Sequence, residues 1–75
     1  MTDNIFGERL KELRKQRKLT RTECQKEVGY NGDTFWRWET GKRIPNGKAL
    51  IDLATFFNVS ADYLLGLADK KERAK

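Results

Sequence analysis

Aromatic and basic residues stand together in the middle of this chain, in the stretch WRWETGKRIP at residues 36–45. A short helix fits between Gly29 and Gly41, which lie on either side of the aromatic part. Phe35 and Trp38 lie three residues apart, so they share one face of that helix and are predicted to be buried. Trp36 and Arg37 fall on other faces, where a partner can meet them. A helix that packs with one side and presents Trp and Arg on another is suited to nucleic-acid recognition.

Catalytic chemistry has little support in the sequence. The chain has no histidine and one cysteine, so neither an internal disulfide nor a His/Cys metal site is predicted. Cys24 has no partner base in a recognisable pattern and is interpreted as a small buried hydrophobe. No glycine-rich phosphate loop follows a strand. We therefore expect no enzyme activity, no cofactor and no metal.

Composition limits the chain to one small domain with a basic surface. Its 75 residues carry 16 Lys and Arg against 11 Asp and Glu, a net charge of +5. This charge favours a polyanionic partner, but it also suits simple solubility, and composition alone does not decide between them. No apolar run approaches the roughly 20 residues of a membrane span. With no apolar leader at the N-terminus, the chain is expected to be cytoplasmic.

Apolar spacing and capping residues predict an all-α domain of five short helices. Helix 1 is expected to start at Asp3 or Asn4, and helix 2 to run from about Arg21 to Val28 behind a Thr20–Glu23 capping box. Helix 3 is expected from an Asn31 cap to about Thr40, only two residues or so after helix 2. Two further helices follow the caps Asn46 and Ser60. The domain is assigned to residues 1–67, with a charged tail at 68–75.

Several of these residues together resemble the phage-repressor and Cro-like helix-turn-helix family of transcription regulators. The resemblance covers roughly residues 5 to 67. It is carried by Leu19-Thr20, Gly29, Phe35, the stretch 38–43, Pro45 and the ending VSADYLLG at residues 59–66. It implies a compact five-helix bundle of the lambda-repressor-like DNA-binding type, with helices 2 and 3 as the DNA-binding unit.

The resemblance also implies a role for individual positions. The positions that face DNA bases in the family are occupied here by Asn31, Gly32, Asp33, Trp36 and Arg37. Those that face phosphates are occupied by Arg21, Lys42 and Arg43. A largely buried ion pair is implied between Arg14 and Glu39. In this scheme Arg37 bonds a guanine edge, Trp36 packs on a thymine methyl, and Asn31 contacts adenine or a phosphate.

Four positions depart from the family pattern. Gly32 stands where a base-contacting side chain is usual. Asp33 places a negative charge near DNA, where it either accepts a bond from cytosine or stabilises the helix start. Gln25 replaces the small residue that is usual where helices 2 and 3 pack closely. The angle at which these two helices cross is therefore not predicted. Arg21 replaces a common glutamine and is expected to favour phosphate binding over pairing with other side chains.

The predicted function is a sequence-specific regulator, a repressor acting by operator occupancy on double-stranded DNA. A homodimer on a pseudo-palindromic site is expected, and no small-molecule effector. Its contact patch is assigned to helices 4 and 5, where Val59, Leu64 and Leu67 are either apolar surface or core. Two alternatives stay open: an antitoxin or restriction-modification controller that binds DNA, and a protein-interaction bundle that has lost DNA recognition. The basic run Arg14 to Arg21 is either a solvated helix end or a neighbour of the phosphates.

Overall fold

Residues 4–71 are described by the structure, a computed structural model, and they form five helices without a strand. The helices are α1 (Ile5–Gln16), α2 (Arg21–Val28), α3 (Thr34–Glu39), α4 (Gly47–Phe57) and α5 (Ala61–Leu65). The all-α prediction is confirmed. The domain measures 30 × 30 × 23 Å, so every helix reaches one shared core.

The core is built from one apolar face of each helix. Leu10, Phe35, Leu53 and Leu64 are completely buried, as is the Cys24 side chain. Around them pack further aromatic and aliphatic side chains, namely Leu13, Trp38, Ala49, Ala54, Phe57, Val59 and Tyr63. Burial of this apolar surface is the main term that holds five short helices together, because none is long enough to be stable alone.

Three predicted helix starts are confirmed by their capping bonds. The Thr20 hydroxyl accepts from the Glu23 amide at 3.1 Å, and the Glu23 carboxylate accepts from the Thr20 amide at 2.9 Å. The Asn46 side chain caps α4 and the Ser60 hydroxyl caps α5. These bonds satisfy amides that the helices leave unpaired, so the sequence sets these boundaries locally.

The start of α1 differs from a simple side-chain cap. Asn4 occupies the N-cap position, but its side-chain amide donates to the Glu39 carbonyl oxygen at 3.0 Å. Asp3, the other predicted cap, lies outside the described residues. Gly7 lies at the same contact, where a Cβ atom would stand 2.6 Å from the carbonyl oxygens of Trp38 and Glu39. A glycine at this position therefore lets α1 approach the end of α3 closely.

The predicted start of α3 at Asn31 is wrong. The helix begins at Thr34, and residues 29–33 separate it from α2, rather than two residues or so. Gly32 adopts φ +72°, a left-handed conformation that cannot continue a right-handed helix. A turn thus occupies the place of the first helical turn, and the Asn31 carbonyl accepts from the Thr34 hydroxyl at 2.7 Å.

Two of the three residues of the predicted contact patch are core. Val59 is 3% exposed and Leu64 is 0% exposed, whereas Leu67 is 75% exposed. Of the two possibilities left open by the sequence, apolar surface or core, Val59 and Leu64 are core and only Leu67 is apolar surface.

The segment after α5 folds back on the domain. The Arg9 guanidinium donates to the Tyr63 carbonyl at 2.5 Å and to the Ala68 carbonyl at 2.8 Å. The Ser60 amide donates to the Lys71 carbonyl at 2.9 Å. Residues 68–71 of the predicted tail therefore contact the bundle, and its remaining residues 72–75 lie outside the described part.

Candidate nucleic-acid interface

α3 separates an inward from an outward face within six residues. Phe35 and Trp38 are buried, and the Trp38 ring meets the Tyr30 ring edge to face with centroids 5.2 Å apart. Trp36 and Arg37 are exposed. Because the inward rings are wedged in the core, the orientation of the outward side chains is fixed by packing.

Asp33 and Arg37 form an ion pair across one turn of this outward face. Arg37 Nε donates to Asp33 Oδ1 at 2.9 Å, with side chains 48% and 60% exposed. This hydrogen bond holds the pKa of the Asp33 carboxyl below its usual value. Asp33 occupies the N-cap position of α3 without capping it, so its carboxylate serves Arg37 instead.

A shallow groove of about 220 Å³ runs between α2 and the start of α3. Its walls include Arg21, Gly32, Asp33 and Trp36. The Lys42 ammonium lies 5.9 Å from the Trp36 ring centroid, at the far side of the same tryptophan. We call this continuous face, made of Arg21, Gly32, Asp33, Trp36, Arg37 and Lys42, the recognition surface. Six of the eight DNA-facing positions implied by the resemblance are therefore neighbours.

The other two positions, Asn31 and Arg43, do not line this groove. The side chain of Arg43 lines a separate depression with Tyr30, Thr34 and Ile44. Asn31 is exposed in the turn before α3. Both residues flank α3, but the structure does not bring them into the groove.

Beneath the recognition surface lies a buried ionic cluster. Arg14 Nε donates to Glu39 Oε2 at 2.6 Å and Arg14 Nη2 donates to Oε1 at 3.1 Å, and the two side chains are 9% and 1% exposed. Arg14 also bonds the Leu19 carbonyl. The bond to Glu39 raises the pKa of Arg14. The ion pair implied by the resemblance is present, and it ties α1 to the end of α3.

Arg21 is a third member of this cluster. Its Nε donates to Glu39 Oε1 at 2.9 Å, while its side chain stays 41% exposed. The expectation that Arg21 favours phosphate binding over side-chain pairing is therefore wrong for this edge of its guanidinium. The reason is geometric: the first residue of α2 lies within hydrogen-bond reach of the buried Glu39 carboxylate.

Gln25 shows how α2 and α3 are joined. It is buried, its Nε2 donates to the Gly32 carbonyl at 2.8 Å, and its Oε1 accepts from the Phe35 amide at 3.1 Å. One side chain thus pairs with both the turn and the first turn of α3. The sequence marked Gln25 as unusual but not as a bridge, because both of its partners are backbone atoms.

The basic run at the end of α1 is partly used inside the domain. Arg14 and Arg21 both pair with Glu39, and the Arg17 guanidinium lies 4.8 Å from the Phe56 ring centroid. Lys15 and Lys18 are exposed. Arg17 is exposed as well, so the run is structural at Arg14 and Arg21 and solvated at Lys15, Arg17 and Lys18.

Other site chemistry has no geometric support in the part of the chain that the structure describes. Across residues 4–71, no cluster of three or more His, Cys, Asp or Glu side chains is placed to hold a metal ion. Among the described helices, none combines the length and apolar character needed to cross a bilayer. Burial raises the pKa of Cys24 to about 11, which keeps the thiol protonated.

Comparison with known proteins identifies the class. A family model described as a helix-turn-helix domain matches residues 5–65, and the chain belongs to this family. It is similar to the uncharacterized HTH-type transcriptional regulator YqaE of Bacillus subtilis, with 39% identity over 61 residues, covering 81% of this chain and 53% of YqaE. It is also similar to the repressor protein C2 of Salmonella phage P22, with 34% identity over 65 residues, covering 87% of this chain and 30% of C2.

A solved structure resembles the whole fold. The crystal structure of the P22 c2 repressor in complex with synthetic operator 9T in the presence of Tl⁺ superposes with a TM-score of 0.78 at 33% identity. The match covers 84% of this chain and 96% of that chain. By contrast, the chain spans only about half the length of curated relatives such as YqaE, of which it covers 53%, and YobD of B. subtilis, of which it covers 58%.

Proposed function

We propose that this chain is a sequence-specific DNA-binding transcriptional regulator, and that it represses by occupying its operator. The observation that carries the proposal is the recognition surface, where an exposed tryptophan and arginine on α3 stand between Arg21 and Lys42. The phage P22 relative is a repressor, and its structurally similar domain is bound to a synthetic operator. A net charge of +5 and a pI near 9.6 suit a polyanionic partner.

In this proposal α3 enters the major groove with its outward face towards the bases. Arg37 donates two bonds to a guanine edge, and Trp36 packs on a thymine methyl. Lys42, Arg43 and the exposed part of Arg21 contact phosphates on either side, which fixes the helix in the groove without selecting sequence.

The small size of the domain favours binding to DNA as a dimer. A single small module buries little DNA surface, so high affinity is expected from two copies on a pseudo-palindromic site with half-sites about one helical turn apart. The binding step itself then blocks RNA polymerase.

The first test is selection from a random duplex DNA pool at about 150 mM salt. A two-fold related motif is expected. No enrichment, with weak binding that disappears as salt rises, would overturn the proposal in favour of the protein-interaction alternative.

The second test uses a matched pair of variants on the selected site. Arg37→Ala is expected to weaken binding by about 1–3 kcal/mol and to relax preference at one base pair. Lys11→Ala removes one positive charge from an exposed position of α1 and serves as the control. Equal losses in both variants would show that Arg37 contributes charge rather than base recognition.

A further inference from the structure

One acidic side chain lies within the basic recognition surface, and its position is fixed. The turn that carries Asp33 is bonded on one side through the Gly32 carbonyl and on the other through the Phe35 amide, both to Gln25. The Asp33 carboxylate then pairs with Arg37 at 2.9 Å. The acid is therefore held against the very arginine that the proposed function assigns to a base.

The bond to Asp33 occupies the Nε–H of the Arg37 guanidinium and leaves its two terminal nitrogens free of bonds to residues 4–71. Asp33 accepts from Nε, whereas bidentate recognition of guanine needs two parallel N–H donors presented outward. A bond at Nε restricts the torsions of the long Arg37 side chain before DNA arrives. Less rotamer freedom is then lost on binding a guanine, which favours that contact over looser ones.

The negative charge of Asp33 also favours specific over non-specific DNA binding. A carboxylate near the phosphate backbone is repelled by it, and it neutralises an arginine that would otherwise bind any phosphate within reach. Non-specific binding thus loses a contact, whereas a correctly placed guanine still gains its two bonds.

Resting on the proposed function, we propose that Asp33 is a positioning residue that determines specificity: it holds Arg37 for guanine and weakens binding to DNA that lacks guanine at that position. Asp33 thereby raises the ratio of specific to non-specific affinity, although it is an acid on a DNA-binding face.

The test is a double-mutant cycle of Asp33→Ala and Arg37→Ala. Binding is measured to the selected operator, to operators with each base pair replaced, and to random duplex of equal length, at one salt concentration. For Asp33→Ala we expect at least about a fivefold loss of preference at one guanine, the lower end of the range that a good bidentate pair supplies. Affinity for random duplex is expected to rise.

The cycle separates positioning from general charge or structural effects. In the Arg37→Ala background, adding Asp33→Ala is expected to leave base preference unchanged, since the acid acts through the arginine. Glu12→Ala removes a negative charge from an exposed position of α1 and is expected to leave the preference at that guanine intact. Asp33→Asn keeps an acceptor for Nε, so it is expected to retain part of the preference and also covers the case in which Asp33→Ala unfolds.

Two results would overturn the inference. One is full guanine preference in Asp33→Ala and Asp33→Asn, and the other is an effect of Asp33→Ala on base preference that persists without Arg37. Either can occur while the parent chain still selects a motif, which leaves the proposed function standing. Failure of the parent chain to select any motif instead refutes the proposed function and this inference with it.

Discussion

The side chain of Gln25, on α2, accepts a hydrogen bond from the backbone amide of Phe35, in the first turn of α3, at 3.1 Å. Its amide nitrogen also donates to the Gly32 carbonyl. A buried glutamine therefore does the work that an N-cap side chain does elsewhere, because Asp33 at the N-cap position is turned towards Arg37. Gln25 thus links α2 to the start of α3, as the Arg21–Glu39 pair links α2 to its end.

Gln25→Ala should lower stability although alanine is a good helix former. The change leaves a buried amide and a carbonyl without their partner, at a cost of about 1–3 kcal/mol. Urea unfolding followed by tryptophan fluorescence measures the loss. Lys26→Ala, an exposed neighbour on the same helix, is the control and should stay within about 0.5 kcal/mol of the parent. An unchanged midpoint for Gln25→Ala would show that the turn repacks around alanine.

Gly7→Ala should lower stability, whereas glycine-to-alanine changes in an ordinary helix raise it. The added Cβ would lie 2.6 Å from two backbone carbonyl oxygens of α3, which cannot move independently of the core. The strain should cost about 1–3 kcal/mol. Gly47→Ala is the matched control, since it lies in the first turn of α4 with nothing within 4 Å of the added atom. That change should be neutral or stabilising, and equal effects at both glycines would contradict the close approach of α1 and α3.

Glu39→Gln should expose the cost of a buried unpaired charge. Two arginines bond this carboxylate, and Arg14 is too buried to be solvated in its absence. The expected loss is about 3–5 kcal/mol. Arg21→Gln removes the half-exposed partner and should cost at most about 1 kcal/mol. Thermal or urea unfolding of the two variants distinguishes them, and similar losses would mean that Arg14 reaches solvent.

Cys24 should make stability fall at alkaline pH. Its pKa is about 11 in the folded chain because the thiol is buried, but about 9 in an unfolded one. Between these values the folded state holds a proton that the unfolded state has lost, so rising pH favours unfolding, by about 2 kcal/mol over the window. Unfolding midpoints from pH 8 to 10.5 test this. The Cys24→Ala chain starts less stable but should decline less steeply, whereas parallel curves would contradict the expectation.

Because Cys24 is buried, its thiol is expected to react slowly with disulfide reagents. In the native chain at pH 8, a disulfide reagent such as Ellman's reagent should react with Cys24 far more slowly than with the urea-unfolded chain, because only the exposed thiolate attacks. Equal rates would place the thiol at the surface.

The features of the fold that are predictable without coordinates are local or periodic. The spacing of Phe35 and Trp38 was enough to predict which face of α3 is buried, and the Thr20–Glu23 pair was enough to predict the start of α2. Such features depend on residues within one or two turns of each other, whose relative geometry is the same in any helix. The resemblance added the Arg14–Glu39 pair, which local rules do not supply.

How these elements are joined depends on contacts that form only in the folded chain. The late start of α3 depends on a left-handed Gly32 held by Gln25, and the close contact at Gly7 depends on carbonyl groups more than 30 positions away along the chain. Arg21 pairs with Glu39 while staying partly exposed, and Val59 and Leu64 lie in the core. In each case several partners are available in the folded chain. Which contact forms depends on distances and burial, and these cannot be derived from spacing along the chain.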